Sequence, residues 1–204
     1  MSRGALSVLR DLMPIRPLNQ VEALRMAELQ AERLLKLAGV TEAPVPDRVI
    51  TSIPKVEVRR IRPWPAHGTT DWAGSTWVIV LNAADAPLQQ RFSLAHEFKH
   101  ILDDRFIDVL YPDLPGWPRR ERTEAICEYF AGCLLVPKRW LRQAWDDGLR
   151  DLTALAHEFQ VSRPAMQTRL SQTGLLPCAP RQQSAYGRYQ RSSKATTFLT
   201  GVAA

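Results

Sequence analysis

Two of the chain's four histidines stand four residues apart with a glutamate between them, in the run "RFSLAHEFKHILDD" over residues 91–104. On an α-helix, positions i and i+4 share a face with Cβ atoms about 5–6 Å apart, so His96 and His100 can aim both imidazoles at one ion with Glu97 beside it. Zn²⁺ in catalytic sites takes three protein ligands and leaves the fourth position for water, so an H-E-x-x-H run requires one further donor. The segment "RTEAICEYFAG" carries carboxylates and small residues on one helical face, and Glu124 is the expected third ligand. Glu128 lies one turn further on, where a carboxylate can accept the free ring N–H of a ligating histidine and fix its tautomer. The competing reading is a solvated helix face. Phe92, Ala95, Phe98 and Leu102 surround the histidines, however, and a stripe so apolar buries its neighbours, where a charged Glu97 needs a partner.

The elements that must hold these residues are legible in part. "NQVEALRMAELQAERLLKLAG" sets Val21, Leu24, Ala27, Ala31, Leu34, Leu35 and Ala38 at helical spacing, with Asn19 and Glu22 suited to a capping box and Gly39 to the stop. "KVEVRRI" alternates apolar and charged residues, and "STWVIVLNA" is β-branched and bounded by Gly74 and Asn82, which predicts two or three strands of a small sheet. Pro87 and Gln89 precede a helix over 91–103. The Pro/Gly-rich "IDVLYPDLPGWPRRE" leads to the strongly apolar helix "TEAICEYFAGCLLV", and Pro137 begins another. The expected fold class is α+β.

With 204 residues, 45% apolar and 24% charged, the composition is ordinary for a globular chain. The opening "MSRGALSVLRDLMPIRPL" lacks a signal-peptide h-region, and no stretch approaches the roughly 18 apolar residues of a membrane span, so the expected location is the cytoplasm. Cys127, Cys133 and Cys178 form no CxxC pair and no even disulfide framework, which fits reduced thiols acting as buried small hydrophobes. The net charge of +6 owes much to the stretch after Pro177, where Arg181, Arg188, Arg191 and Lys194 meet no acidic residue. It is therefore weak support for nucleic-acid binding, and the stretch is expected to be a basic, flexible tail.

Taken together, "RFSLAHEFKHILDD" and "EAICEYFAGCLLVP" from Glu124 to Pro137 resemble the ImmA/IrrE family of zinc metallopeptidases. Its members carry R-F-x-x-A-H-E-x-x-H and then a second helix reading E-x-x-A-N-x-F-A-x-x-L-L-x-P. The resemblance covers roughly residues 20–176. It implies a small mixed or antiparallel sheet packed on a helical, zincin-like core, with His96, His100 and Glu124 holding Zn²⁺ and Glu97 as catalytic base. The implied chemistry is peptide hydrolysis, Glu97 moving a proton from water to the leaving amine. The tetrahedral intermediate asks for a second electrophile, for which Tyr111, His67 and Tyr129 are the candidates. The "TWVIVLN" strand is the candidate edge for an extended substrate. There are two departures from the family pattern. Lys99 replaces a common glycine and is expected to point to solvent; Glu128 stands where Asn or Asp is usual.

"DLTALAHEFQVSRPAMQTRLSQTGLL" has the pattern of a helix-turn-helix. Leu152, Leu155, Ala156 and Phe159 make an apolar face, Val161 sits in the turn, Ser162 caps, and Ala165, Met166, Arg169 and Leu170 continue the second helix. Arg163, Gln167, Thr168 and Gln172 are left outside, where Arg163 and Gln167 are candidates for contact with DNA or a partner. The expected organisation is an N-terminal extension over 1–18, a metallopeptidase domain over 19–148, the helix-turn-helix-like segment over 149–177 and the tail over 178–204. The family's substrates are Xre-type repressors, so the resemblance implies an endopeptidase that cleaves such a repressor, a separate protein encoded nearby, and relieves repression under stress. The alternative is an antitoxin-like regulator that binds DNA or protein through residues 151–176 around a structural or inactive metal site. An intact Glu97 argues against it, since a structural site has no use for a general base.

Overall fold

The structure, a computed structural model, describes residues 4–113 and 117–176; the basic tail and Cys178 lie outside them. At the centre runs α4 (Pro87–Asp103), every residue of which from Phe92 to Asp103 is buried. It starts a turn earlier than expected because Pro87 occupies the first helical position, where its missing N–H costs nothing. Helix α2 (Gln20–Leu37) packs on α6 (Arg119–Leu135), and α6 packs on α4. The capping box of α2 forms as expected: the Asn19 side chain accepts from the Glu22 N–H, and the Glu22 carboxylate from the Asn19 N–H, each at 2.9 Å.

The N-terminal stretch is docked on this core. Leu9 in α1 (Ala5–Arg10) is buried, as are Met13 and Leu18. Arg10 donates to the carbonyls of Ile101 at 2.6 Å and Leu102 at 3.3 Å, satisfying acceptors that the C-terminal turn of α4 leaves without a helical partner.

After the short α3 (Arg48–Thr51), three strands form a mixed sheet: β1 (Val56–Ile61), β2 (Gly68–Trp72) and β3 (Trp77–Asn82), in the order β1-β3-β2. β1 runs parallel to β3, with Val56 opposite Trp77 and Ile61 opposite Asn82; β2 runs antiparallel, with Gly68 opposite Leu81 and Trp72 opposite Trp77. β3 is therefore the central strand and Trp77 to Leu81 are all buried. This corrects the expectation that "TWVIVLN" offers a free edge, because β1 and β2 occupy its two sides. The free edge nearest α4 belongs to β2. Its "GTTDW" escapes a propensity-based reading because Gly and Asp are poor strand formers and the run is only five residues.

Beyond α5 (Ile107–Leu110), α6 and α7 (Lys138–Asp146), the chain ends its described part in α8 (Leu152–Glu158) and α9 (Arg163–Thr173). Asp151 caps α8 through the Ala154 N–H at 2.8 Å, and Ser162 caps α9 through the Ala165 N–H at 3.3 Å. Leu155, Phe159, Val161, Met166 and Leu170 join the same apolar core as the rest of the chain. Two arginines fasten the pair. Arg169 is buried, donating to the Val136 carbonyl at 2.9 Å with its guanidinium 5.5 Å from the Tyr129 ring centre. Arg91, in the first turns of α4, bonds the carbonyls of Gln160 and Val45 and the Asp47 carboxylate. Arg163 and Gln167 are exposed, as expected. No helix among the described residues is long and apolar enough to cross a membrane.

Candidate metal centre

α4 and α6 bring three donors to one point. His96 Nε2 lies 3.1 Å from His100 Nε2 and 3.2 Å from Glu124 Oε2, and His100 Nε2 lies 3.6 Å from Glu124 Oε1. A four-coordinate ion holding nitrogen and oxygen at about 2.0–2.1 Å keeps its donors about 3.3 Å apart. The set therefore fits a small divalent ion as it stands. Cys127 is a fourth group at this point: ligand-capable atoms of His96, His100 and Cys127 lie within 4.8 Å of one another, and all three residues are buried. Cys127 is free and buried, as expected, but its place beside the donors goes beyond core filling. Its position three residues after Glu124, on the same helical face, was the available signal. Glu128 lies half-buried one turn beyond Glu124.

The titration of His100 and Glu124 reflects their closeness. Burial alone would push the His100 imidazole down, but Cys127, Glu124 and Glu97 outweigh it and raise its pKa well above the ordinary value. Burial works against the charge of Glu124, yet its bonds to His100 and His96 hold it well below the usual carboxylate range. An entering cation takes the place of protons here, so its binding releases them and is favoured as pH rises.

Glu97 is 2% exposed and acts electrostatically on His100. The edge strand leaves room for it at Gly68: a Cβ there would stand 2.9 Å from Glu97 Cγ and 3.2 Å from its Oε1. Gly68→Ala is therefore expected to displace the Glu97 side chain and, for the peptidase activity that the family resemblance implies, to lower the rate of cleavage by about 10–100-fold, the scale of a misplaced catalytic group. A cleavage rate equal to wild type, measured at saturating substrate, would show that Glu97 has slack at this position.

Lys99 corrects an expectation. It is fully buried, because α4 is enclosed on every side from Phe92 to Asp103. Its ammonium donates to Asp103 Oδ1 at 2.5 Å, Gln30 Oε1 at 2.9 Å and the Tyr111 hydroxyl at 3.4 Å. Removing one partner of such a buried ion pair costs about 3–5 kcal/mol, since the other charge is left in the core.

The same network disposes of one candidate electrophile. Tyr111 is fully buried, and its hydroxyl donates to Asp103 Oδ2 at 2.9 Å. Burial and then Asp103 push its pKa far upward. Tyr129 lies against Arg169 at the junction of α6 and α9. His67 remains accessible, with Nδ1 2.7 Å from Asp85 Oδ2. It stands in the bend just before β2 rather than in the strand itself. Of the three candidate electrophiles, Tyr111 is thus committed to Asp103 and Tyr129 to Arg169. Beside the donors a cleft of about 360 Å³ opens between β2 and the end of α4, with Thr70, Trp72 and Trp77 on one side and His100, Arg105 and Ile107 on the other.

Residues 51–171 match the family described as the IrrE N-terminal-like domain. The radiation response metalloprotease IrrE of Deinococcus radiodurans is 27% identical over 164 residues, covering 72% of this chain and 49% of that protein. Its counterpart in Deinococcus deserti is 36% identical over 63 residues, covering 29% of this chain and 22% of that protein. A solved structure described as a Mycobacterium tuberculosis transcriptional regulator superposes with a TM-score of 0.59 at 18% identity, covering 83% of this chain and 52% of that one, a likeness of fold. The chain thus spans about half the length, or less, of the relatives it matches. With a matched stretch that includes the two histidines, Glu97, Glu124 and the strands beside them, the chain belongs to the ImmA/IrrE family of metallopeptidases.

Proposed function

We propose that the chain is a zinc endopeptidase that cleaves a helix-turn-helix regulator of the Xre type in the cytoplasm and so relieves repression. The observation that carries this reading is the triangle of His96, His100 and Glu124, with 3.1–3.6 Å sides, and Glu97 held beside it against Gly68. Two imidazoles and one carboxylate suit zinc best among common divalent ions, and three protein donors leave a position for water. Bound zinc would polarise the scissile carbonyl and acidify a water molecule. The chain's own part is played by Glu97, which takes the proton of that water and returns it to the leaving amine. The free edge of β2 can pair with an extended peptide through its backbone, and the cleft bordered by Trp72 and Trp77 can receive a side chain of that peptide. The exposed Arg163 and Gln167 on α9 supply a surface for docking the regulator or its DNA.

The direct test mixes purified protein with the Xre-type regulator encoded beside it. Zinc-loaded protein should cut the regulator at a defined bond, chelation should stop the reaction, and added Zn²⁺ should restore it. A regulator that stays whole with the zinc-loaded protein removes this substrate class, and cleavage indifferent to chelation removes the metal.

A further inference from the structure

We infer that the cleft beside the metal centre is a subsite for a basic side chain: the substrate peptide pairs along β2 and lays a lysine or arginine on Trp72, its charged head toward Asp104. The inference deepens the proposed function and rests on it.

The sheet register fixes which part of β2 a peptide reaches. The Asn82 N–H donates to the His67 carbonyl at 3.1 Å and the Ala73 N–H to the Thr76 carbonyl at 2.9 Å, so the bonded pairs between them are Thr69 with Val80 and Asp71 with Val78. The backbone groups of Gly68, Thr70 and Trp72 therefore point away from β3, to the free edge of the sheet. Alternation turns the side-chain positions of these same three residues to the α4 face, where Gly68 meets Glu97. Thr70 and Trp72 follow along that face, in the wall of the cleft that His100 also lines. A peptide paired with this edge passes the metal centre beside Gly68 and Thr70 and reaches the cleft beside Trp72, within about two residues of the scissile bond.

The lining selects the side chain. Trp72 is 41% exposed, and its ring centre lies 5.2 Å from that of the buried Trp77, which backs it as a platform. Thr70 keeps a buried hydroxyl without a hydrogen-bond partner, an acceptor for a donor that the ligand brings. Of the charged residues bordering the cleft beside His100, Asp71 and Asp104 are acidic and Arg105 is basic, all three exposed, which leaves one negative charge in excess. An apolar side chain leaves these polar groups unanswered, and an acidic one meets the excess charge. Lysine and arginine suit both parts: the methylene stem covers the indole, and the cationic head is attracted by the ring face and the carboxylate. The cleft, about 360 Å³, has room for either.

The test uses the zinc-loaded full chain and a library of short, unstructured peptides, with cleavage sites read by mass spectrometry. Lysine and arginine should be enriched at one position within about two residues of the scissile bond. In a peptide so cleaved, replacing a lysine at that position by norleucine, which keeps the stem and lacks the charge, should lower kcat/KM about tenfold, chiefly through KM. Trp72→Ala should erase most of the preference for lysine over norleucine, and Asp104→Asn part of it. A loss of packing slows both peptides alike, so the ratio is the readout. Apolar or acidic residues enriched at that position would overturn the inference, as would a preference that Trp72→Ala and Asp104→Asn both leave intact; either result keeps the peptidase reading. If the zinc-loaded wild type cuts no peptide of the library, the peptidase reading falls and this inference with it.

Discussion

His100→Ala should leave the chain without its metal. Purified wild-type protein is expected to carry about one zinc per chain and the variant less than about a tenth of that, because two remaining donors rarely hold the ion. The size of the effect follows from the geometry. His100 takes part in two of the three sides of the donor triangle. The helix itself should survive. His100 is at the edge of the cleft with 7% of its surface exposed, and the packing of Phe98, Ile101 and Leu102 does not depend on it. Elemental analysis after dialysis, with circular dichroism as the control for folding, makes the comparison. Equal zinc in wild type and variant would mean that the histidines are not ligands, and the enzymatic reading would lose its basis.

What was legible in the sequence was whatever local spacing determines. The i, i+4 histidines, the Asn19–Glu22 capping box and the Ser162 cap depend on contacts within one or two turns, and each appears in the structure as expected. What escaped depends on enclosure. A surface helix writes its orientation as a stripe, but α4 has no solvent side from Phe92 onward, so the pattern around Lys99 gave no sign that its ammonium had to be met by Asp103, Gln30 and Tyr111. Gln30 lies 69 residues away from Lys99 in the chain. Strand β2 was missed for a related reason: "GTTDW" is a strand because β3 offers it an antiparallel partner, not because its residues prefer one. Cys127 shows the limit on the site itself. Small buried residues on a helix facing a metal are ambiguous in sequence, and only the placement of α6 against α4 reveals that this one meets His100.

Glu97→Gln separates an enzyme from a binding regulator. Glutamine keeps the length and shape of the side chain, so it fits against Gly68 as glutamate does, and it removes the proton acceptor. The metal should stay, since the donor triangle is formed by His96, His100 and Glu124 without it. The regulator should still bind, because the β2 edge, the cleft and the exposed face of α9 are untouched. Cleavage should fall by about 10²–10⁴-fold, the contribution of a positioned acid–base group, leaving the regulator whole and its promoter silent. A chain that works instead by gripping DNA or a partner through α8 and α9 would regulate normally with Glu97→Gln and fail with Arg163→Ala or Gln167→Ala. A reporter driven by the regulated promoter, read beside an immunoblot of the regulator, distinguishes the two. Full induction by Glu97→Gln, with zinc bound and the regulator uncut, would assign the metal a structural task and the activity to the helix pair.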